Sequence, residues 1–214
     1  MSIATQTSSD YKQTILDLLP EQGRWTDEKY LWLTDYTPRL VEFTDGYIEQ
    51  LPMPTQLHQG ISKFFLFAFT VFLGPLGGEA FCSPLRMRIR PGKYREPDVL
   101  LIKDVKDPRC FNRFWTGADL TLEVVSEDNP ERDLVDKRHD YAEANVPEYW
   151  IVNPQNETIT VLKLENGAYT EHGVFGRGQQ ATSIVLAGFR VNVDDVFNVY
   201  VPPDSPDDNS EPEA

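Results

Sequence analysis

From Gln56 to Leu73, the apolar residues Ile61, Phe64, Phe65, Ala68, Phe69 and Phe72 recur three and four places apart, the spacing of one wide helical face. Gly74-Pro75 ends the pattern. Upstream, LVEFT and YIEQLPM flank Asp45-Gly46, a dipeptide suited to the positive φ angles of a tight turn, and predict a β-hairpin. Downstream, Phe81, Ser83, Leu85, Met87 and Ile89 alternate with polar or basic residues, which predicts a single half-buried strand before the Pro91-Gly92 turn. Residues 98–103 and 119–125 are near-continuous apolar runs, as in strands covered on both faces.

A helix is predicted over about 130–144. Asn129 caps it, Pro130 suits its first turn, and Asn145 before Pro147 supplies a left-handed stop. EYWIVN, residues 148–153, reads as another apolar strand. ETITVLKLE, AYTEHGVF, TSIVL and GFRVNV then read as a C-terminal antiparallel extension. The order of elements predicts an α/β fold, a mixed sheet flanked by helices, with no internal repeat. A polar leader over 1–20, with a short helix near 11–19, and an acidic Pro-rich tail over 202–214 bracket one domain at 21–201.

Charge complicates the choice of partner. Lys and Arg number 20 against 34 Asp and Glu, a net charge of -14, which opposes non-specific attraction to nucleic acid. Setting aside five tail acids still leaves 29 acids against those 20 bases. Arg86, Arg88, Arg90, Lys93 and Arg95 are the one obvious basic cluster; they form either a local groove or a solvated edge strand. With Cys82 and Cys110 alone, and no secretory pattern in MSIATQTSSDYKQ, reduced thiols and a cytoplasmic location are expected. The longest apolar stretch, 64–74, falls short of the roughly 20 residues of a membrane span, so no membrane partner is expected.

Three features carry candidate chemistry: Asp98 at the head of one buried strand, Glu123 near the end of the next, and Asp133, Lys137 and Tyr141 four apart along the following helix. A carboxylate on a covered sheet is costly unless paired or bound to a cation. Two carboxylates and the main-chain carbonyl of Val124 would hold Mg²⁺, with Mn²⁺ as a substitute, and leave room for water and a phosphate oxygen. Taken singly, each residue reads more simply: Asp98 as a turn residue, Glu123 as a strand end, Asp133–Lys137 as a surface ion pair and Tyr141 as packing. His58 before the long helix faces either a cleft or solvent, while His139 and His172 show no ligand spacing.

The segments REPDVLLI and LTLEVVSEDNPERDLVDKRHDYAEANVPEYWIVNP, with VEFTDGYIEQLPMP and His58 ahead of them, resemble the Uma-two restriction-endonuclease family of the PD-(D/E)XK superfamily. That resemblance implies a restriction-endonuclease-like core, with Asp98 and Glu123 as metal ligands. Val125 stands where the usual lysine would, so the resemblance implies that Lys137 has taken over that role, supported by Asp133. The implied activity is Mg²⁺-dependent hydrolysis of DNA, with a homodimer suited to cutting two strands. The competing expectation is a silent module that binds a protein or nucleic-acid partner.

Overall fold

The computed structural model describes residues 19–199; the expected tail, and the leader and its helix up to residue 18, lie outside them. Helix α1 (Asp27–Tyr36) precedes a hairpin of β1 (Val41–Thr44) and β2 (Tyr47–Gln50), turned by Asp45 and Gly46 at φ 48° and 92°. Helix α2 (Gln56–Leu73) follows, then β3 (Glu79–Cys82), β4 (Arg86–Arg90), β5 (Lys93–Arg95), β6 (Val99–Ile102), β7 (Phe114–Trp115) and β8 (Leu120–Val124). A wide π-helical turn (Arg132–Asp136) leads into α3 (Lys137–Glu143) and then β9 (Glu148–Asn153), β10 (Thr158–Glu165) and β11 (Ala168–Phe175). Strands β12 (Gln180–Thr182) and β13 (Arg190–Asn192) and helix α4 (Val193–Phe197) complete the described chain.

The main sheet runs β11-β10-β9-β8-β6-β3 and is mixed, since β8 and β9 are parallel and the other pairs antiparallel. A parallel pair requires a crossover, and the π turn with α3 provides it. Ile61, Phe65, Phe69 and Leu73 of α2 pack one face, against Val99, Leu101, Leu122, Val124 and Trp150. The opposite face, carrying Leu100, Ile102, Val125 and Ile151, packs against Tyr141, Val146 and Met87. A second sheet, β2-β1-β5-β4-β7, stands beside that face; its own core joins Tyr30, Phe43 and Tyr94.

Three local expectations are corrected. The alternating stretch around 81–89 is two strands in two sheets, because Pro84 offers no N–H to a ladder and the chain crosses over there. TSIVL is mostly a turn: the amides of Ile184 and Val185 donate to the buried Glu148 carboxylate, at 2.7 Å each, instead of to a strand. β12 and β13 pair with each other as a separate sheet, so only β10 and β11 extend the main one. The α2 helix also runs beyond the 64–74 stretch. Gln56–Leu76 is the one helical segment among the described residues long and apolar enough to cross a membrane by length and composition, and here its inner stripe is spent on the sheet.

Candidate active site

Strand parity places the two acids. β8 sends Leu120, Leu122 and Val124 toward α2, so Glu123 points the other way with Val125; β6 sends Val99 and Leu101 toward α2, so Asp98 takes the side of Leu100. Antiparallel pairing of Val99 with Leu122, continued one place, sets Asp98 opposite Glu123. The Asp98 amide donates to Glu123 Oε2 at 3.3 Å, and the Val124 amide donates to Asp98 Oδ2 at 2.8 Å. Both acids therefore face the layer that carries α3.

Lys137 closes the group from that layer. Its ammonium lies 2.8 Å from Glu123 Oε2 and 3.1 Å from Asp133 Oδ1, with all three side chains buried. The π turn supports this arrangement, since the Lys137 amide donates to the Arg132 carbonyl while the Tyr149 hydroxyl donates to the Asp133 carbonyl at 2.8 Å. Ser126 N–H donates to Asp133 Oδ2 at 3.4 Å, and the Tyr141 hydroxyl donates to Glu123 Oε1. From the first turn of α2, His58 Nε2 is 3.0 Å from Asp98 Oδ2, both side chains under one-fifth exposed. Neither of these Asp98 side-chain contacts falls on Oδ1.

Charge is not balanced here. Asp98, Glu123 and Asp133 share one ammonium and one imidazole. The Lys137–Glu123 attraction at 2.8 Å is about 6 kcal/mol at an effective dielectric near 20, the same order as the cost of desolvating the pair. Two cations therefore cannot settle three acids. Burial first, then the charges of Asp98 and Asp133, push Glu123 well above the carboxylate range despite Lys137. Burial pushes Lys137 down, but Glu123, Asp133, Glu42 and Asp98 outweigh it and hold the ammonium charged. Burial likewise opposes the ionisation of Asp98, yet the His58 hydrogen bond, the His58 and Lys137 charges and the Val124 amide keep its carboxyl below the usual range. His58 is raised in return: burial lowers it, and the hydrogen bond to and charge of Asp98 more than compensate.

This geometry can be set beside known proteins. A family model described as Uma2, "Putative restriction endonuclease", matches residues 27–194. The chain belongs to the Uma2 family. A crystal structure described as a putative nuclease belonging to DUF820, from Anabaena variabilis ATCC 29413, has a TM-score of 0.67 and 20% identity, covering 81% of this chain and 97% of that one. At that identity the likeness speaks for the fold. No curated protein matches significantly.

Within the Uma2 chain, Asp98, Glu123, Asp133, Lys137, Tyr141 and His58 converge on one site. Val125, where the resemblance calls for a lysine, is 2% exposed in the apolar cluster with Tyr141 and Tyr149. The basic cluster fares differently from either expectation, because β4 and β5 are interior strands and most of their cations are spent. Arg90 pairs with Asp45 and Glu143, Lys93 and Arg95 pair with Asp140, Arg86 donates to two carbonyls, and Arg88 stacks over Phe114. Sequence reasoning missed Glu42, buried between Arg95 and Arg132, because alternation around Val41 and Phe43 points it to solvent. The signal available was its opposition to Glu49 across the hairpin, two like charges facing each other that need a cation nearby.

The donor set suits a hard divalent cation. Asp98, whose Oδ1 lies outside the contacts above, and Glu123, whose raised pKa a nearby cation would reverse, fit Mg²⁺ or Mn²⁺, which retain several waters. Among the described residues no cluster of three or more His, Cys, Asp or Glu side chains is arranged to hold a metal, so a bound ion here would rest on fewer side-chain ligands than that.

Proposed function

We propose that this protein is a Mg²⁺-dependent endonuclease that hydrolyses DNA phosphodiester bonds at the site of Asp98, Glu123 and Lys137. The observation that carries the reading is the ammonium of Lys137, 2.8 Å from Glu123 in a cluster with one acid too many. Membership of a nuclease family supports it. Asp98 and Glu123 are the metal's carboxylate ligands, with the Val124 carbonyl as a third donor; the bound ion supplies polarisation of a phosphate oxygen and acidification of its water.

The remaining roles belong to the protein. Lys137 orients the attacking water and offsets charge that builds on the phosphate in the transition state. Asp133 and the π turn fix the lysine in place, and Tyr141 orients Glu123 through Oε1. His58 holds Asp98 and keeps its carboxyl ionised at neutral pH. In a cleavage assay on supercoiled plasmid with Mg²⁺ or Mn²⁺, wild type is expected to nick or linearise the DNA, and Asp98→Ala and Lys137→Ala to lose about 1,000-fold or more. Equal cutting by all three proteins would remove this site from the mechanism.

A second reading, a silent module with a protein partner, draws on the net charge of -14 and on a basic cluster already consumed by internal ion pairs. Plasmid left intact by wild type, together with no heat of divalent-ion binding in a titration, would favour it.

A further inference from the structure

Glu42 sits in the middle of β1, yet it is only 2% exposed. Its Oε1 accepts the Glu96 N–H at 3.2 Å, two residues before Asp98. Its Oε2 accepts from Arg132 Nη2 and lies 3.4 Å from Arg95 Nε. Arg132 opens the π turn that carries Asp133 and ends at Lys137, and its Nη1 donates to Glu49 at 3.0 Å. Arg95 donates to Asp140 Oδ2 at 2.7 Å, three residues beyond Lys137, where Lys93 also pairs. One carboxylate thus touches both chain segments that bring the candidate site together. Among the described residues, no hydrogen bond or ion pair joins it to Asp98, Glu123 or Lys137.

Packing alone does not require an ion at this position, since desolvating a carboxylate costs several kcal/mol and an apolar residue would fill the space without it. What the carboxylate adds is direction. Its two oxygens have different partners, one a main-chain amide and the other guanidinium groups, so the separation between those partners is tied to one side chain. The small sheet makes similar links further along α3, where Arg90 meets Glu143 at 2.8 Å. Cations that the sequence offered as a groove for nucleic acid are instead fastened to the lysine-bearing helix.

We propose that Glu42 is a positioning residue, which sets the separation between the Asp98 segment and the Lys137 helix by bridging the Glu96 amide and the Arg132 guanidinium. The inference rests on the nuclease reading of the site for its kinetic consequence, and on the bridge alone for its structural one. Glu42→Gln keeps the side chain's size and weakens its hold on Arg132. Arg132→Gln breaks the same link from its less buried end and serves where the first variant folds poorly.

For a DNA duplex with saturating Mg²⁺, each variant is expected to lose about 100-fold in kcat, as follows from misplacing a catalytic group by about an ångström, while KM moves by less than about threefold. The double variant is expected to lose no more than either single one, because all three break one link. In the metal-free variants, hydrogen exchange over residues 130–137 is expected to quicken at least about tenfold, and Mn²⁺ affinity to stay within about threefold of wild type. Losses that multiply in the double variant, or unchanged exchange over 130–137, would overturn the proposal. So would a tenfold fall in Mn²⁺ affinity for Glu42→Gln, which would make Glu42 a ligand. If wild type cuts no DNA, the nuclease reading fails by itself, and the exchange measurement still decides the bridge.

Discussion

Glu123→Gln removes one charge from the site at nearly constant shape, and its effect on the metal-free protein follows from the surroundings of that carboxyl. Glu123 is fully buried; the ammonium at 2.8 Å is shared with Asp133 at 3.1 Å. Burial, Asp98 and Asp133 together raise its pKa well above the ordinary range. The folded state therefore keeps the proton more tightly than the unfolded chain, in which a glutamate titrates near about 4.3. A group of this kind favours folding below its unfolded pKa, and the advantage is lost as pH rises toward the folded pKa, at about 1.4 kcal/mol per pH unit. Glutamine does not titrate, and the other acids are common to both proteins. The stability difference is thus expected to move in favour of Glu123→Gln by up to about 3 kcal/mol between pH 5 and pH 7. Urea denaturation in EDTA at pH 5, 6 and 7 measures it. A difference that stays constant with pH, or moves toward wild type, would refute the claim that the site carries one acid too many.

Two further outcomes follow from the same geometry. His58 has a raised pKa, so its pairing with Asp98 stabilises the fold below the unfolded value of about 6.5 and is lost as pH rises through the folded one. His58→Gln is expected to cost more stability at pH 6 than at pH 9 in metal-free protein; equal costs at both would rule out a charged pair. Tyr149→Phe removes the buried hydrogen bond to the Asp133 carbonyl and is expected to cost about 1–2 kcal/mol in denaturant midpoint measurements. No loss would show that the π turn does not depend on that hydroxyl.

Much of the framework was legible because local rules and tertiary packing agree along it. Asp45-Gly46 turns the hairpin, α2 spans Gln56–Leu73 as its apolar spacing indicates, and EYWIVN is β9 residue for residue. Asn145, at φ 54°, ends α3 as a left-handed stop. Agreement fails where a residue's partner is distant. Helix α1 escaped notice because only Tyr30, Leu31 and Thr34 are buried on it, which leaves no continuous apolar stripe. TSIVL has the composition of a strand, but its backbone is taken by Glu148, about 36 residues earlier in the chain.

The candidate site shows the same division. Strand heads and a four-residue helical repeat single out Asp98, Glu123 and Lys137 as candidates, because both are local properties. Taken singly, however, each reads more simply, and their roles come from the resemblance to the Uma-two family. Asn129 directly precedes the helical run that begins at Pro130, as expected, and its carbonyl accepts the Arg132 N–H at 3.3 Å as the π turn opens. Glu42 and the pairing of Arg90, Lys93 and Arg95 with acids of α3 are contacts between two sheets and a helix, which one-dimensional patterns do not contain. That is why a run of cations looked like a surface for DNA when it is part of the scaffold around Lys137.

Calorimetric titration of Mn²⁺ into metal-free protein bears most directly on the central claim that Asp98 and Glu123 share one divalent cation. Wild type is predicted to bind with a single saturating site per chain, and Asp98→Ala and Glu123→Gln to lose that heat, while Tyr141→Phe, which removes only the hydroxyl beside Glu123, retains it. Binding that survives both acid substitutions would contradict the account.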